Sequence, residues 1–490
     1  MTYPEPQAAR PSRVRFRVLT FISSLSILTY LDRTCISRVQ KDIKLDLSLD
    51  DAQMGLVFGA FYVGYGLFEV PAGWMGDTWG TRRVLTRIVL WFSLFTALTG
   101  AIGWLKGYRD YQWLLAGWEV SVLFLLMLAV RFLFGCGEAG AYPNLAKVVS
   151  TWFPFRERGL AQGAIWFFAR LGGAMAPFLI GRLTTLVGWQ SAFCGFGVVG
   201  VLWCFAFYAW FRNTPEEIPA CNQAERELIQ EYLVKKAPAP DEGVEREEEK
   251  EKEKERESHA HGFPPLGPLL ASGTMWALCL AAVFVNLAWH FFPTWQPRYF
   301  EDVFDISMEG SELLVGLPYL CGALGAFAGG TISDRLIRGT GSRRWGRAMV
   351  GLVGFGGAGV CAFCLVLVTE AWQAVCLLCL IFLINDLAVP VIWAAGTDVS
   401  GRFAGTITAI VNTAGCIGGF LCPVLMGAFL DKATEQHPPR ELWPVIFTGL
   451  ATAWVISGLA WLFIDASRPI VPVDDAAKSR ATLQNPEADS

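Results

Sequence analysis

Charged residues divide this chain into apolar runs nearly as long as a bilayer is thick, and few folds can absorb that pattern. Stretches such as VVGVLWCFAFYAWF (198–211) and GLATAWVISGLAWLFI (449–464) approach the roughly 20 residues that carry a helix across hydrocarbon. Lipid offers no partner to a backbone N–H or C=O, so runs of this kind fold as helices, which satisfy those groups internally. The composition agrees, with 53% hydrophobic residues before glycine is counted and a mean hydropathy of +0.40. A soluble domain reaches about 45–50% only with glycine included.

Twelve such spans can be drawn. The first six run over 17–37, 52–74, 84–104, 118–147, 159–187 and 189–211; the second six over 273–300, 311–332, 347–368, 372–395, 404–430 and 443–464. The expected fold class is an all-α membrane protein of twelve transmembrane helices in two six-helix bundles. The first bundle takes residues 17–211 and the second 273–464. Residues 1–16 form a cytoplasmic tail, 212–272 a cytoplasmic charged linker and 465–490 a second cytoplasmic tail. The linker holds DEGVEREEEKEKEKERE (241–257), which has nothing apolar to hold it in a fold and reads as solvated chain. The N-terminal tail is polar and basic, and no small-residue cleavage site follows the first apolar run, so that run reads as a retained anchor.

Orientation follows from the basic residues near the span ends. Arg10, Arg13, Arg15 and Arg17 precede span one, Arg82, Arg83 and Arg87 follow span two, Arg156 and Arg158 follow span four, and Arg335, Arg338, Arg343, Arg344 and Arg347 follow span eight. Alternating spans put all of these on one side, the cytoplasmic side of a cell membrane. The other side carries fewer cations (Arg38, Lys41, Lys44, Lys106, Arg109) and the aromatic segments YRDYQWLLAGW and FFPTWQPRYF. The net charge of −4 decides nothing once its distribution is known.

The 13 cysteines sit mostly inside apolar runs, where they act as small polarizable packing residues. Cys361/Cys364 and Cys376/Cys379 have CxxC spacing, but no His or Asp cluster accompanies them. Metal binding, nucleotide-phosphate binding and a placed nucleophile–base set all lack a motif. The chain reads as a non-enzyme with no cofactor, metal or nucleic-acid partner.

Two segments repeat. GWMGDTWGTRR after span two matches GTISDRLIRGTGSRR after span eight, each with Gly, Asp four residues on, then a basic cluster. Gly73-x-x-x-Asp77-x-x-Gly80-x-Arg82-Arg83 resembles the loop 2–3 signature of the major facilitator superfamily. A narrower resemblance, to the anion:cation symporter family, rests on five stretches in order: YLDRTCIS, FYVGYGLFEVPAGWMGD, RFLFGCGEAGAYPNLAKVVSTWFPFRERGLAQG, WHFFPTWQPRYF and IWAAGTDVSGRFAGTITAIVNTAGCIGG. It covers the membrane portion and leaves out the tails and the linker. It implies import of a small organic anion, such as an aldonate, hexuronate or glucarate, by proton symport through two bundles that rock about a midplane site. Export or exchange of another carboxylate or an amphiphile is the alternative within transport; a transporter-like sensor is the alternative outside it. Gly172 to Pro177 has Ala176-Pro177 where proton antiporters carry Gly-Pro, which keeps export as the minor reading.

Ionisable residues at bilayer depth cost roughly 2.5–3.5 kcal/mol each and so mark function. Here they are Asp32, Arg33, Glu69, Arg131, Glu138, Arg170 and Asp386. Asp32 and Arg33 are adjacent and point about 100° apart on a helix. The economical arrangement pairs Asp32 with Arg131 and leaves Arg33 open to a carboxylate. Arg131 and Glu138, seven residues apart, share a face with about 10 Å between them. The resemblance implies anion binding by Arg33 and Arg131 and proton coupling by Asp32 and Glu138. It also implies substrate contact for Tyr65 and Asn412, against the plainer role of interhelical polar contact. Glu69 stands where relatives carry Gln, and Arg170 adds a cation in span five. Arg170 suits a dicarboxylate or a second anionic group, or pairs structurally with Glu69, and the two readings stand level. His290, beside Trp289, reads as packed or water-facing, with proton transfer as the alternative. Gly73, Asp77, Arg82, Arg83, Asp334 and Arg335 are assigned to conformational gating by bridging the halves, against a purely topological role. The expected partners are the anion, protons and membrane lipid, and the expected working unit is a monomer.

Overall fold

The structure, a computed structural model, describes residues 10–115, 118–154, 157–234, 266–307, 312–400, 404–432, 438–468 and 470. Its helices in the first half are α1 (Val14–Arg38), α2 (Gln40–Leu47), α3 (Asp51–Trp79), α4 (Thr81–Gly103), α5 (Val122–Glu138), α6 (Ala141–Trp152) and α7 (Arg158–Trp210). After α8 (Gln223–Val234) come α9 (Leu266–Ala271), α10 (Gly273–Trp289), α11 (Phe291–Thr294), α12 (Gln296–Phe304) and α13 (Glu312–Thr340). The remainder are α14 (Arg343–Gly351), α15 (Gly357–Cys364), α16 (Ala371–Ser400), α17 (Ala404–Leu430) and α18 (Pro439–Ala460).

Eleven continuous helical stretches among the described residues are long and apolar enough to cross a membrane. One of them, α7, is 53 residues long and breaks at Gly188 (φ 77°, ψ 157°), between the fifth and sixth spans. It therefore makes two crossings, and twelve spans result. Each apolar run folds as a helix because lipid leaves its backbone no other partner. The fourth span starts later than the sequence suggests, since 118–121 pairs with 112–115 in an antiparallel hairpin, β1 (Gln112–Leu115) and β2 (Trp118–Ser121). It also breaks after Glu138. Gly140, at φ 81°, is where the chain turns before α6. Asn144 Nδ2 donates to the carbonyls of Gly140 (2.8 Å) and Ala72 (3.2 Å), giving oxygens near the break a partner that lipid could not supply.

Buried apolar residues fall into two clusters. One lies in the first six spans toward the basic loops and includes Val18, Leu85, Val149, Trp152 and Phe207. The other joins the opposite ends of those spans (Ile36, Met54, Phe58, Ile180) to the second half (Tyr299, Tyr319, Phe382, Trp443). Cys416 and Phe420 of the second half pack against the first of these clusters, and among the described residues the larger core is shared by the halves on the face away from the basic loops. There α3 packs on α17 and α7 on α13. Two ion pairs cross between halves on that face, Arg38 Nη2 to Glu312 Oε1 at 3.6 Å and Lys41 Nζ to Glu301 Oε1 at 2.5 Å.

The region expected to be wholly solvated is partly folded. Helix α8 returns under the first half, and its Glu225, fully buried, accepts hydrogen bonds from Val14 N (2.8 Å), Arg15 N (3.1 Å), Arg15 Nη1 (3.0 Å) and the Ser12 hydroxyl. The carboxylate satisfies N–H groups that the first turn of α1 leaves without helical partners. Arg15 Nε also pairs with Glu157 at 2.7 Å. Burial works to raise the Glu225 pKa, and the bonds from Ser12, Val14 and Arg15 outweigh it, holding the carboxyl below its usual range. The charged run 241–257 lies outside the described residues.

Candidate functional site

A central cavity of about 140 Å³ lies between the halves. Tyr30 and Arg33 of α1, Tyr62 and Tyr65 of α3, Tyr142 of α6 and Arg170 of α7 line it from the first half. Asn286, Trp289 and His290 near the end of α10, Trp393 of α16 and Asn412 of α17 face them from the second. Four tyrosines (Tyr30, Tyr62, Tyr65, Tyr142) and three tryptophans (Trp166, Trp289, Trp393) set polar tips into a largely apolar wall, the usual make-up of a small-ligand site.

Among the described residues Arg33 is one of two cations on the first-half wall, with Arg170 the other. Its Nε donates to Glu138 Oε1 at 2.6 Å, while its Nη2 has no hydrogen-bond partner. Four rings surround the guanidinium: Tyr65 at 4.9 Å, Phe61 at 5.3 Å, Tyr30 at 5.6 Å and Tyr142 at 5.8 Å. This corrects one expectation, since Arg33 does not stand free. The break at Gly140 ends α5 at Glu138, and the fully buried carboxylate reaches the charge that the cavity exposes. The second oxygen of Glu138 has no partner.

Asp32 points the other way, as adjacency on a helix requires, but the expected bond to Arg131 is absent. Both Asp32 oxygens are buried without a hydrogen bond, and no ion pair joins Asp32 to Arg131 within 4.0 Å. Arg131 and Glu138 are the charges that act on it, with Thr96 also beside it. Arg131 is buried away from the cavity lining. Its guanidinium sits 4.5 Å from the Phe134 ring and 5.6 Å from Phe61, and its Nε has no partner. Aromatic faces hold this cation in place where a carboxylate was expected.

Arg170 is paired, and its partner is not Glu69. It forks onto Asp386, Nε to Oδ2 at 2.5 Å and Nη2 to Oδ1 at 3.0 Å, and gives Nη1 to the Tyr30 hydroxyl at 2.7 Å. Asn385 Nδ2 supports the same carboxylate at 2.9 Å. Glu69 instead accepts from Asn412 Nδ2 at 2.6 Å, so Asn412 lines the cavity while also linking α17 to α3. Tyr65 lines the cavity below Arg33. His290 sets Nδ1 2.7 Å from the Asn286 carbonyl and packs on Tyr62 with ring centres 4.3 Å apart.

The gating set does not bridge the halves among the described residues. Arg82 Nε donates to the Tyr208 carbonyl at 3.1 Å within its own half, and Arg83 and Arg335 are exposed. Gly73 lies in α3 against Pro143. The side chains of Asp77 and Asp334 fall outside the described ones.

Tyr30, Tyr142, Trp289 and Trp393 went unselected by the sequence. Tyr30 is legible in hindsight, since it lies three residues before Arg33 and so shares its helix face. Asp386 stands out in the sequence as ionisable at depth, and the signal for its role is that a mid-depth acid in one half and a mid-depth Arg in the other need each other. All 13 cysteines are unpaired, and no three His, Cys, Asp or Glu among the described residues could hold a metal ion.

A family model described as Major Facilitator Superfamily matches residues 22–423. The chain is 28% identical over 467 residues to the probable sulfoacetate transporter SauU of Cupriavidus necator, covering 94% of this chain and 96% of that one. It is 28% identical to the probable galactarate/D-glucarate transporter GudP of Bacillus subtilis, covering 86% and 87%, and 27% identical to the hexuronate transporter of the same organism, covering 86% and 89%. Among solved structures it resembles a bacterial homolog of the human lysosomal transporter Spinster in an inward-facing, unoccupied conformation. That match has a TM-score of 0.63 at 19% identity, covers 97% and 99% of the two chains and speaks to the fold alone.

Proposed function

The chain belongs to the major facilitator superfamily, a family of membrane transporters rather than enzymes, and from that premise we propose that it imports a small organic anion of the sugar-acid type by proton symport. The pairing of Arg33 with Glu138 at the cavity wall carries the reading. An anion that takes Arg33 through its unpartnered Nη2 competes with the Glu138 carboxylate for the same charge, and a buried carboxylate that loses its share of that charge is stabilised by a proton. Anion and proton therefore load together. Asp32, buried with no hydrogen bond, is a second proton site, and Arg131 beyond the cavity wall sets the field around it. Tyr65 and Asn412 contact the substrate's hydroxyls.

Residues 17–211 and 273–464 are the two bodies that rock about the cavity, with the basic loops and both termini cytoplasmic. Gly73, Asp77, Arg82, Arg83, Asp334 and Arg335 form their cross-half contacts when the cytoplasmic face closes. The monomer is the working unit in the cell membrane. The named substrates of the relatives, galactarate, D-glucarate, hexuronate and sulfoacetate, support an anionic substrate of this size.

The test is uptake into proteoliposomes. An inward proton gradient drives accumulation of labelled sugar acid, and collapse of the gradient with an ionophore abolishes it. Accumulation indifferent to the gradient contradicts the reading.

A further inference from the structure

The cavity holds a second guanidinium, and it is already occupied by a carboxylate from the opposite half. Arg170 stands 5.4 Å from the Tyr30 ring centre and Arg33 stands 5.6 Å from the same ring. The two cations thus flank one tyrosine on the first-half wall, and both line the space a ligand would enter. Nε and Nη2 of Arg170 hold Asp386 in the two-pronged geometry that a carboxylate ligand adopts. Asp386 keeps a second donor, Asn385 Nδ2 at 2.9 Å, which remains if Arg170 is taken away. Among the described residues, the second half lines the cavity with neutral groups, Asn286, His290, Asn385 and Asn412 among them, and Asp386 reaches Arg170 from behind that lining.

We propose that Arg170 is a second anion subsite, filled by Asp386 in the empty cavity, and that the preferred substrate carries two acidic groups, one for Arg33 and one that displaces Asp386 from Arg170. This rests on the organic-anion reading above and adds the charge class of the substrate. A bidentate Arg–carboxylate contact spans about 4 Å from guanidinium carbon to carboxylate carbon, so two cations on either side of one ring can clasp the ends of a short chain. The exchange also has a mechanical consequence. Arg170–Asp386 is a buried charged tie between the halves, made by α7 and α16. A diacid removes it by taking Arg170 onto itself, whereas a monoacid bound at Arg33 leaves it in place. Selection for two charges and release of the halves become one event.

The test compares D-glucarate with D-gluconate, six-carbon acids that differ by one carboxylate, by calorimetric titration of the purified full-length protein. Wild type favours glucarate by about tenfold or more, the factor expected of one additional charge-assisted contact. The double variant Arg170→Gln/Asp386→Asn removes both charges together, so no unpaired ion is left buried. It binds gluconate within about threefold of wild type and loses the preference for glucarate. Asp386→Asn alone frees Arg170 and tightens glucarate by more than it tightens gluconate. An undiminished glucarate preference in the double variant, or equal binding of the two acids by wild type, overturns the second subsite and leaves the organic-anion reading standing. Wild type that binds neither acid removes the sugar-acid reading and this proposal with it.

Discussion

Glu138, the last residue of α5 before the break in the fourth span, meets Arg33 of α1 with Oε1 2.6 Å from Nε, and so occupies a cation that faces the central cavity. The bond exists because α5 ends at Glu138 and because helical geometry sends Arg33, not Asp32, toward the cavity. Arg33→Lys keeps the charge and loses the planar fork. Its KM for the transported acid rises about ten- to hundredfold, equivalent to about 1.4–2.8 kcal/mol, with fold and expression retained. Initial uptake rates over a range of concentrations check this, and a wild-type KM contradicts it.

Asp32 has no hydrogen bond to lose. A buried carboxylate without an ion-pair partner costs stability through its charge, and the neutral amide removes that charge. Asp32→Asn therefore unfolds in detergent at the same temperature as wild type or higher, while its uptake loses part of its pH dependence. A clear drop in unfolding temperature indicates that Asp32 is structurally bonded and contradicts the assignment.

Glu225 clamps the start of α1, and the sign of its pH effect is fixed. Its folded pKa is depressed, by hydrogen bonds from Ser12, Val14 and Arg15 that outweigh burial. Its contribution is thus fully present above the unfolded value of about 4.3 and is lost as pH falls through the lower folded value. Glu225→Gln lowers the unfolding temperature at pH 7 by the equivalent of about 1–3 kcal/mol, and the gap from wild type closes in acid below pH about 4. Melting curves across that window decide it; a gap independent of pH contradicts the clamp.

The break that delivers Glu138 depends on Gly140 at φ 81°. A Cβ there would stand 2.3 Å from the Ala72 Cβ, and the left-handed backbone costs roughly a further 1–2 kcal/mol for any residue with a Cβ. Gly140→Ala lowers the yield of folded protein and weakens transport, whereas Gly163→Ala, with only Phe327 at 3.8 Å, leaves both near wild type. Size-exclusion profiles of the two variants separate these outcomes.

The fold was legible because lipid enforces a simple rule: apolar runs of about 20 residues become helices. The join of the fifth and sixth spans was legible at residue 188 because the apolar run is too long for one crossing. The candidate site was legible as a set of residue types at depth, since charges there are rare and stand out. Their pairing was not. Adjacency showed that Asp32 and Arg33 diverge, but which acid meets Arg33 depends on the break at Gly140, and Arg131 found aromatic faces that no charge pattern announces. The partner of Arg170 lies 216 residues away in the other half, a distance that only the packed halves bridge. Helix α8 was hidden because its anchor is one glutamate capping another helix, without an apolar run to signal it.

The central claim is that the proton on Glu138 and the anion on Arg33 load together. The most direct measurement is accumulation of a labelled sugar acid in proteoliposomes bearing Glu138→Gln, with and without an inward proton gradient. Glutamine neither titrates nor holds Arg33 by charge. The account predicts that the variant still binds and exchanges the acid across the membrane but no longer concentrates it under the gradient. Gradient-driven accumulation equal to wild type would contradict it.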